Sequence, residues 1–198
     1  MKFPLKPFVA ALALSLGAVP VMADMAAHLG PMAKVMKPGA DGAWLIEDTD
    51  NWLTLKNATA PGAIQYYWMG VPDSQGPNYT VSVNLVTQTD TPATPAYAGL
   101  IFNYRAKDSY FGVTIGTDGK GYLFIRSPSG FKTHTEEKVQ AKNDGSDVLT
   151  ATVTGNKVTF ELNGATFVSM DNPNGFSPKL GLMAIGQGLF GFTRFTIY

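Results

Sequence analysis

Residues 157–170 read KVTFELNGATFVSM. Val158, Phe160 and Leu162 alternate with Thr159 and Glu161, the two-residue period of a strand that buries one face. Asn163 and Gly164 tolerate positive φ at both central positions of a type I′ turn, whose twist suits a tight antiparallel hairpin. The stretch predicts two neighbouring antiparallel strands whose apolar face needs a second layer to cover it.

The pattern recurs outward from this hairpin. WLTLKN, AIQYYWM, YTVSVNLVT, AGLIFNYR, YFGVTIG, GYLFIRS, DVLTATV, KLGLMAIG and FGFTRFTIY are short, β-branched or aromatic, and separated by turn residues. Asp118-Gly119 offers a second tight turn between VTIG and YLFIR. With the opening hairpin these make eleven segments between Trp44 and Tyr198, and none sustains a helical period. The expected class is all-β: two packed antiparallel sheets spanning residues 44–198.

One motif argues for something else. GQGLFG, residues 186–191, fits G-x-G-x-x-G, but that fingerprint holds a pyrophosphate only where the glycine turn opens a helix. Only the strand-like FTRFTIY follows Gly191. Gly186 and Gly188 are therefore expected in a tight turn between the last two strands, with Gly191 sparing a side chain where the sheets approach.

Composition excludes several partners. Fifteen basic and fifteen acidic residues give a net charge of zero, so no basic field holds nucleic acid. The absence of cysteine removes thiol catalysis and cysteine metal sites. Residues 1–23 place Lys2 and Lys6 before an apolar run, then small residues at Val21 and Ala23, the pattern of a bacterial-type signal peptide cleaved before Asp24. The apolar run is shorter than a membrane span and is broken by Pro20. A periplasmic or secreted protein with no stable membrane anchor is the expectation. Residues 24–43, rich in Met, Ala and Gly, read as a flexible lead-in with room for one short helix.

Three longer stretches in order, residues 98–127, 147–170 and 179–198, resemble the concanavalin A-like lectin/glucanase sandwich, especially its laminin-G-like and 3-keto-disaccharide hydrolase-like branches. The matching motifs are Gly99 to Arg105, Asp108 to Phe111, Val158 to Gly164 and Lys179 to Leu182. The resemblance covers roughly residues 44–198. It implies a jelly roll with a convex and a concave sheet, and a sugar groove on the concave face.

Catalytic constellations are sparse. In IEDTDNW, which holds Glu47, Asp48 and Asp50, Glu47 and Asp50 have the wrong parity to share a strand face as the paired carboxylates of a retaining glycosidase do and the third acid of the set is missing, and Glu136 and Glu137 are adjacent. His28 and His134 sit in no H-x-H or H-E-x-x-H arrangement. Met25, His28, Met32 and Met36 recur at helix-like spacing, a soft ligand set for copper or an apolar stripe that packs on the sandwich. No cofactor is expected; Asp108 and Asp118 lie in turns that leave calcium open.

Sugar binding asks for aromatic rings to stack on pyranose faces, with amides and charged groups for the hydroxyls. If Leu100, Phe102 and Tyr104 face the core, Asn103 and Arg105 face outward; if Leu123 and Ile125 do, Tyr122 and Arg126 face outward. Asn103, Arg105, Tyr110, Tyr122 and Arg126 are the candidate ligand-binding residues, and the three consecutive aromatics of QYYWMG offer a further platform. The leading expectation is an exported, non-catalytic glycan-binding jelly roll. A glycoside-processing enzyme and an exported interaction or adhesion module remain open.

Overall fold

The computed structural model describes residues 25–198 except 50, 90, 92, 173 and 174. The segment read as a signal peptide, residues 1–23, lies outside the described residues, as does Asp50.

Among the described residues, fourteen strands follow one short helix, α1 (Met25–Leu29), and a 3-10 turn at Gly30–Lys34. They are β1 (Gly39–Asp41), β2 (Trp44–Thr49), β3 (Trp52–Asn57), β4 (Ile64–Gly70), β5 (Tyr79–Gln88), β6 (Tyr97–Ala106) and β7 (Ser109–Gly116). The rest are β8 (Lys120–Ser127), β9 (Gly130–Lys138), β10 (Asp147–Thr154), β11 (Lys157–Leu162), β12 (Ala165–Asp171), β13 (Lys179–Ile185) and β14 (Gly188–Ile197). An eight-stranded sheet runs β1-β2-β3-β14-β5-β10-β11-β12 and a six-stranded sheet runs β4-β13-β6-β7-β8-β9. All described pairings are antiparallel. The expected all-β, two-sheet jelly-roll sandwich is what the chain forms.

Alternation decides which side of each strand is buried. Val81, Val83 and Leu85 of β5, Leu149, Ala151 and Val153 of β10, and Val158, Phe160 and Leu162 of β11 face the interior from the larger sheet. Leu100 and Phe102 of β6, Val113 and Ile115 of β7, and Leu180, Leu182 and Ala184 of β13 face them from the smaller one. Phe102 meets Phe160 across the gap edge-to-face, ring centroids 5.8 Å apart.

Asn163 and Gly164 adopt φ of 54° and 80°, the type I′ geometry expected between β11 and β12. The β7–β8 connection differs from its expectation. Only Gly119 has positive φ, at 76°, and its N–H bonds the Gly116 carbonyl, so a three-residue loop with a left-handed glycine replaces the two-residue turn. Gly186 and Gly188 do turn the chain between β13 and β14, but those strands belong to different sheets, so the turn carries the chain across the sandwich.

The lead-in is packed. Leu29, Met32 and Met36 are buried in the main core, and His28 Nε2 lies 3.0 Å from Asp48 Oδ1 on β2, both side chains buried. The methionine stripe therefore serves as core, and its histidine ties α1 to the larger sheet.

A buried carboxylate stitches the loop before β10 to the Asn163 turn. Asp147 accepts hydrogen bonds from the Lys142 and Asn143 backbone N–H groups and from Asn163 Nδ2. Asp147→Ala leaves these part-buried donors without their buried acceptor and is expected to cost about 3 kcal/mol in chemical denaturation, with a clearly smaller loss for Asp144→Ala in the same loop. Equal losses would contradict this role for Asp147.

Candidate functional site

The outward face of the six-stranded sheet is unusual in being apolar. Its cross-strand rows follow from register. One row reads Tyr66, Met183, Gly99, Thr114, Tyr122 and Glu136; the next reads Trp68, Gly181, Ile101, Gly112, Phe124 and Thr133. Small residues occupy the middle of both rows and aromatic rings the flanks. A third, shorter row pairs Tyr110, Arg126 and Phe131.

The glycines in the middle are sterically required. A Cβ on Gly99 would fall inside the van der Waals envelope of the Val113 carbonyl, and one on Gly112 would lie 2.7 Å from Met183 Sδ. Met183, on β13, therefore reaches across bare β6 backbone at Gly99 to lie over Gly112 on β7. It forms, with Ile101, a buried floor outside the main core, roofed by Tyr66, Tyr104 and Tyr110. Thr114 Oγ1 is buried in this floor without a hydrogen-bond partner among the described residues.

Two aromatic groups rise from the floor. In the first, Trp68 stacks on Tyr104 (5.1 Å, interplanar 15°), Tyr104 on Tyr110 (6.1 Å, 23°), and Tyr66 leans on both tyrosines. In the second, Tyr122 and Phe124 stack at 5.4 Å, and Tyr97 meets both edge-on. Between them lies a depression of about 250 Å³ lined by Ile64, Tyr97, Phe124, Phe131, Thr133 and Ile185. No β7 residue lines it, because β7 presents Gly112, Thr114 and Gly116 there.

Charged groups ring this surface. Arg126 stands 4.8 Å over the Phe131 ring and Lys179 4.7 Å over Trp68, cation–π contacts that leave N–H donors toward solvent. At the opposite edge Lys120 pairs with Glu136, and the Tyr122 hydroxyl donates to Asp118 Oδ2. Asp118 Oδ1 accepts the Lys120 N–H, so both carboxylate oxygens are engaged.

Of the five residues expected to bind ligand, Tyr110, Tyr122 and Arg126 lie on this face, Tyr110 and Arg126 as register partners. Asn103 is buried; its Oδ1 accepts the Ser177 N–H at 2.6 Å, and Ser177 Oγ donates to the Tyr104 carbonyl at 2.9 Å. Asn103 adopts φ 50°, and pairing breaks between Phe102 and Ala106. This bulge shifts the alternation, so Tyr104 joins the outward face instead of facing the core as strict period two required. Arg105, within the bulge, is exposed and without a polar partner among the described residues. In QYYWMG, Tyr66 and Trp68 face outward while Tyr67 packs on the main core.

Other candidates disperse. Glu47 is exposed, Asp48 is buried against His28, Glu137 and His134 are exposed, and among the described residues no three His, Asp or Glu come together in a metal-holding group.

No family model matches the chain, and no curated protein matches it. Solved structures do. The carbohydrate-binding module CBM66 from Bacillus subtilis superposes with a TM-score of 0.52 at 10% identity, covering 79% of this chain and 91% of that one. A Bacillus subtilis protein of unknown function with a galectin-like fold gives 0.57 at 11% identity, covering 80% and 87%. A functionally unknown protein from Saccharomyces cerevisiae gives 0.56 at 12%, covering 84% and 97%.

Burial acts on the tyrosines of the face. It pushes Tyr66 up to about 12, with Tyr104 adding to the rise; it also raises Tyr110, and raises Tyr122 further with help from the Asp118 carboxylate. Unfolded phenols ionise near 10. The stability these groups contribute is therefore complete below about pH 10 and is lost as pH rises toward 12, because the unfolded chain releases its protons first. Denaturation midpoints should fall across that window, less steeply in Tyr66→Phe; an identical fall in the variant would contradict this. The architecture and the superpositions agree on one conclusion: the chain folds as a two-sheet antiparallel jelly roll similar to the galectin-like fold.

Proposed function

We propose that the protein is an exported, non-catalytic carbohydrate-binding jelly roll that takes a glycan on the outward face of its six-stranded sheet. The observation that carries this reading is the pairing of aromatic rings with a ring of charged donors and acceptors around a shallow apolar depression. A soluble sandwich has little reason to leave Trp68 and Phe131 exposed at 39% and 44% on one face. Pyranose rings present apolar C–H faces and equatorial hydroxyls, which match stacked rings with polar groups at their margins.

The roles divide by position. Trp68 and Phe124 supply stacking surface, backed by the buried Tyr110; Arg126 donates to ring or hydroxyl oxygens; Tyr122, oriented by Asp118, forms the far wall. Asn103 acts through the bulge it holds, and Arg105 reaches the face only from its end. The fold shared with a carbohydrate-binding module supports the reading, and the signal-like residues 1–23 support export to the periplasm or beyond.

Tyr122→Ala with Arg126→Ala is expected to abolish retention on a glycan array or in affinity gels, a loss of roughly 2–4 kcal/mol from one stacking ring and one charged hydrogen bond. Arg105→Ala should change binding by less than about threefold. Retention unchanged in the double variant would overturn the site. Export predicts that the protein recovered from a bacterial periplasm or medium begins at Asp24.

A further inference from the structure

We propose that the opposite side of the sandwich, the outward face of the eight-stranded sheet, carries a second glycan site for a neutral pyranose, built around Trp52. It rests on observations separate from those of the first face.

Trp52 opens β3, and its indole lies flat on two glycines. A Cβ on Gly191 of β14 would stand 2.9 Å from the ring, and one on Gly145 in the loop before β10 would stand 3.0 Å from it. Gly191 was expected to spare space between the sheets; it spares space for this indole instead, on the solvent side. The half-buried ring divides two depressions of about 340 and 650 Å³, both of which it lines together with Asp144 and Gly145.

The larger depression is polar in a specific way. Thr193, Asn84 and Val148 are register partners on β14, β5 and β10 and form its floor. Thr193 Oγ1 is committed to the Asn51 carbonyl at 2.7 Å, but the half-buried Asn84 amide has no hydrogen bond among the described residues. Asp144 Oδ1 is held by the Ser146 N–H and hydroxyl at 2.9 and 2.6 Å, which fixes the carboxylate and leaves Oδ2 without a protein partner among the described residues. At the rim, Arg194 adopts φ 52° in a bulge between Thr193 and Thr196. The bulge returns Phe195 to the core and leaves the guanidinium exposed and unpaired among the described residues.

An indole beside a free amide, a fixed carboxylate and a free guanidinium matches the hydroxyl-rich edge and apolar face of a sugar. Both charge signs meet at the depression, Asp144 with Arg194 in its lining and Lys142 bonded to the lining Ser146 at 3.4 Å, so its polar groups suit the hydroxyls of a neutral ring. Sites on both faces make a single chain bivalent, able to bridge two glycan strands.

The test is two-dimensional NMR of the protein titrated with millimolar methyl β-D-glucopyranoside, methyl β-D-galactopyranoside, methyl α-D-mannopyranoside, cellobiose and lactose. Trp52 is identified by its loss in Trp52→Phe. The Trp52 indole N–H and the Asn84 side-chain amide should shift with at least one of these sugars. Asn84→Ala with Arg194→Ala, both outside the core, should weaken the Trp52 response about tenfold or more. Tyr122→Ala with Arg126→Ala should leave it intact. Unmoved Trp52 and Asn84 signals across the panel, or an equal response in Asn84→Ala with Arg194→Ala, overturns the second site. A Trp68 response lost only in Tyr122→Ala with Arg126→Ala would then leave the first face standing alone.

Discussion

The smaller sheet depends on one left-handed residue. Without Asn103, β6 would continue its alternation past Phe102 and send the next aromatic, Tyr104, into a core already filled by Phe102, Phe160 and Phe176. Asparagine is among the few side chains that adopt positive φ at modest cost, about 1 kcal/mol, and its own amide oxygen offsets that cost by holding Ser177. Ser177 then fastens the Tyr104 carbonyl, so the loop before β13 and the bulge in β6 brace each other. The bulge delivers Tyr104 to the outward face, where it roofs Ile101 and stacks between Trp68 and Tyr110.

Both faces of the sandwich use glycine in the same way. On the six-stranded sheet Gly99 and Gly112 let Met183 lie across two strands, making a low apolar floor between aromatic walls. On the eight-stranded sheet Gly145 and Gly191 let Trp52 lie flat, making a low aromatic partition between polar depressions. The first arrangement offers apolar area with charges at its margins; the second offers one ring with unpaired hydrogen-bonding groups beside it. In each, removing side chains from a strand creates the relief that a flat sheet lacks.

Much of the architecture was legible because alternation and turn chemistry are local. Val158, Phe160 and Leu162 announce their buried face, and Asn163-Gly164 announces its turn. Three strands were missed for physical reasons. Strand β9, GFKTHTEEK, is an edge strand exposed along most of its length, so no burial pattern marks it. Strands β1 and β2 pair at the other sheet's edge, β1 being three exposed residues. The candidate site was half legible. Tyr110, Tyr122 and Arg126 follow from parity, but the parity of Tyr104 turns on the bulge, and the bulge turns on Ser177, more than seventy residues away. The packing of Leu29, Met32 and Met36 likewise depends on partners in distant strands, and composition alone reads that segment as loose.

The central claim is that a glycan stacks on the aromatic face that the Asn103 bulge assembles. Saturation-transfer NMR tests it directly, irradiating the protein's aromatic protons and detecting the sugar's. Transfer should concentrate on the C–H protons of one pyranose face and disappear in a folded Tyr104→Ala variant. Transfer that is absent from the wild-type protein, or unchanged in that variant, would contradict the account.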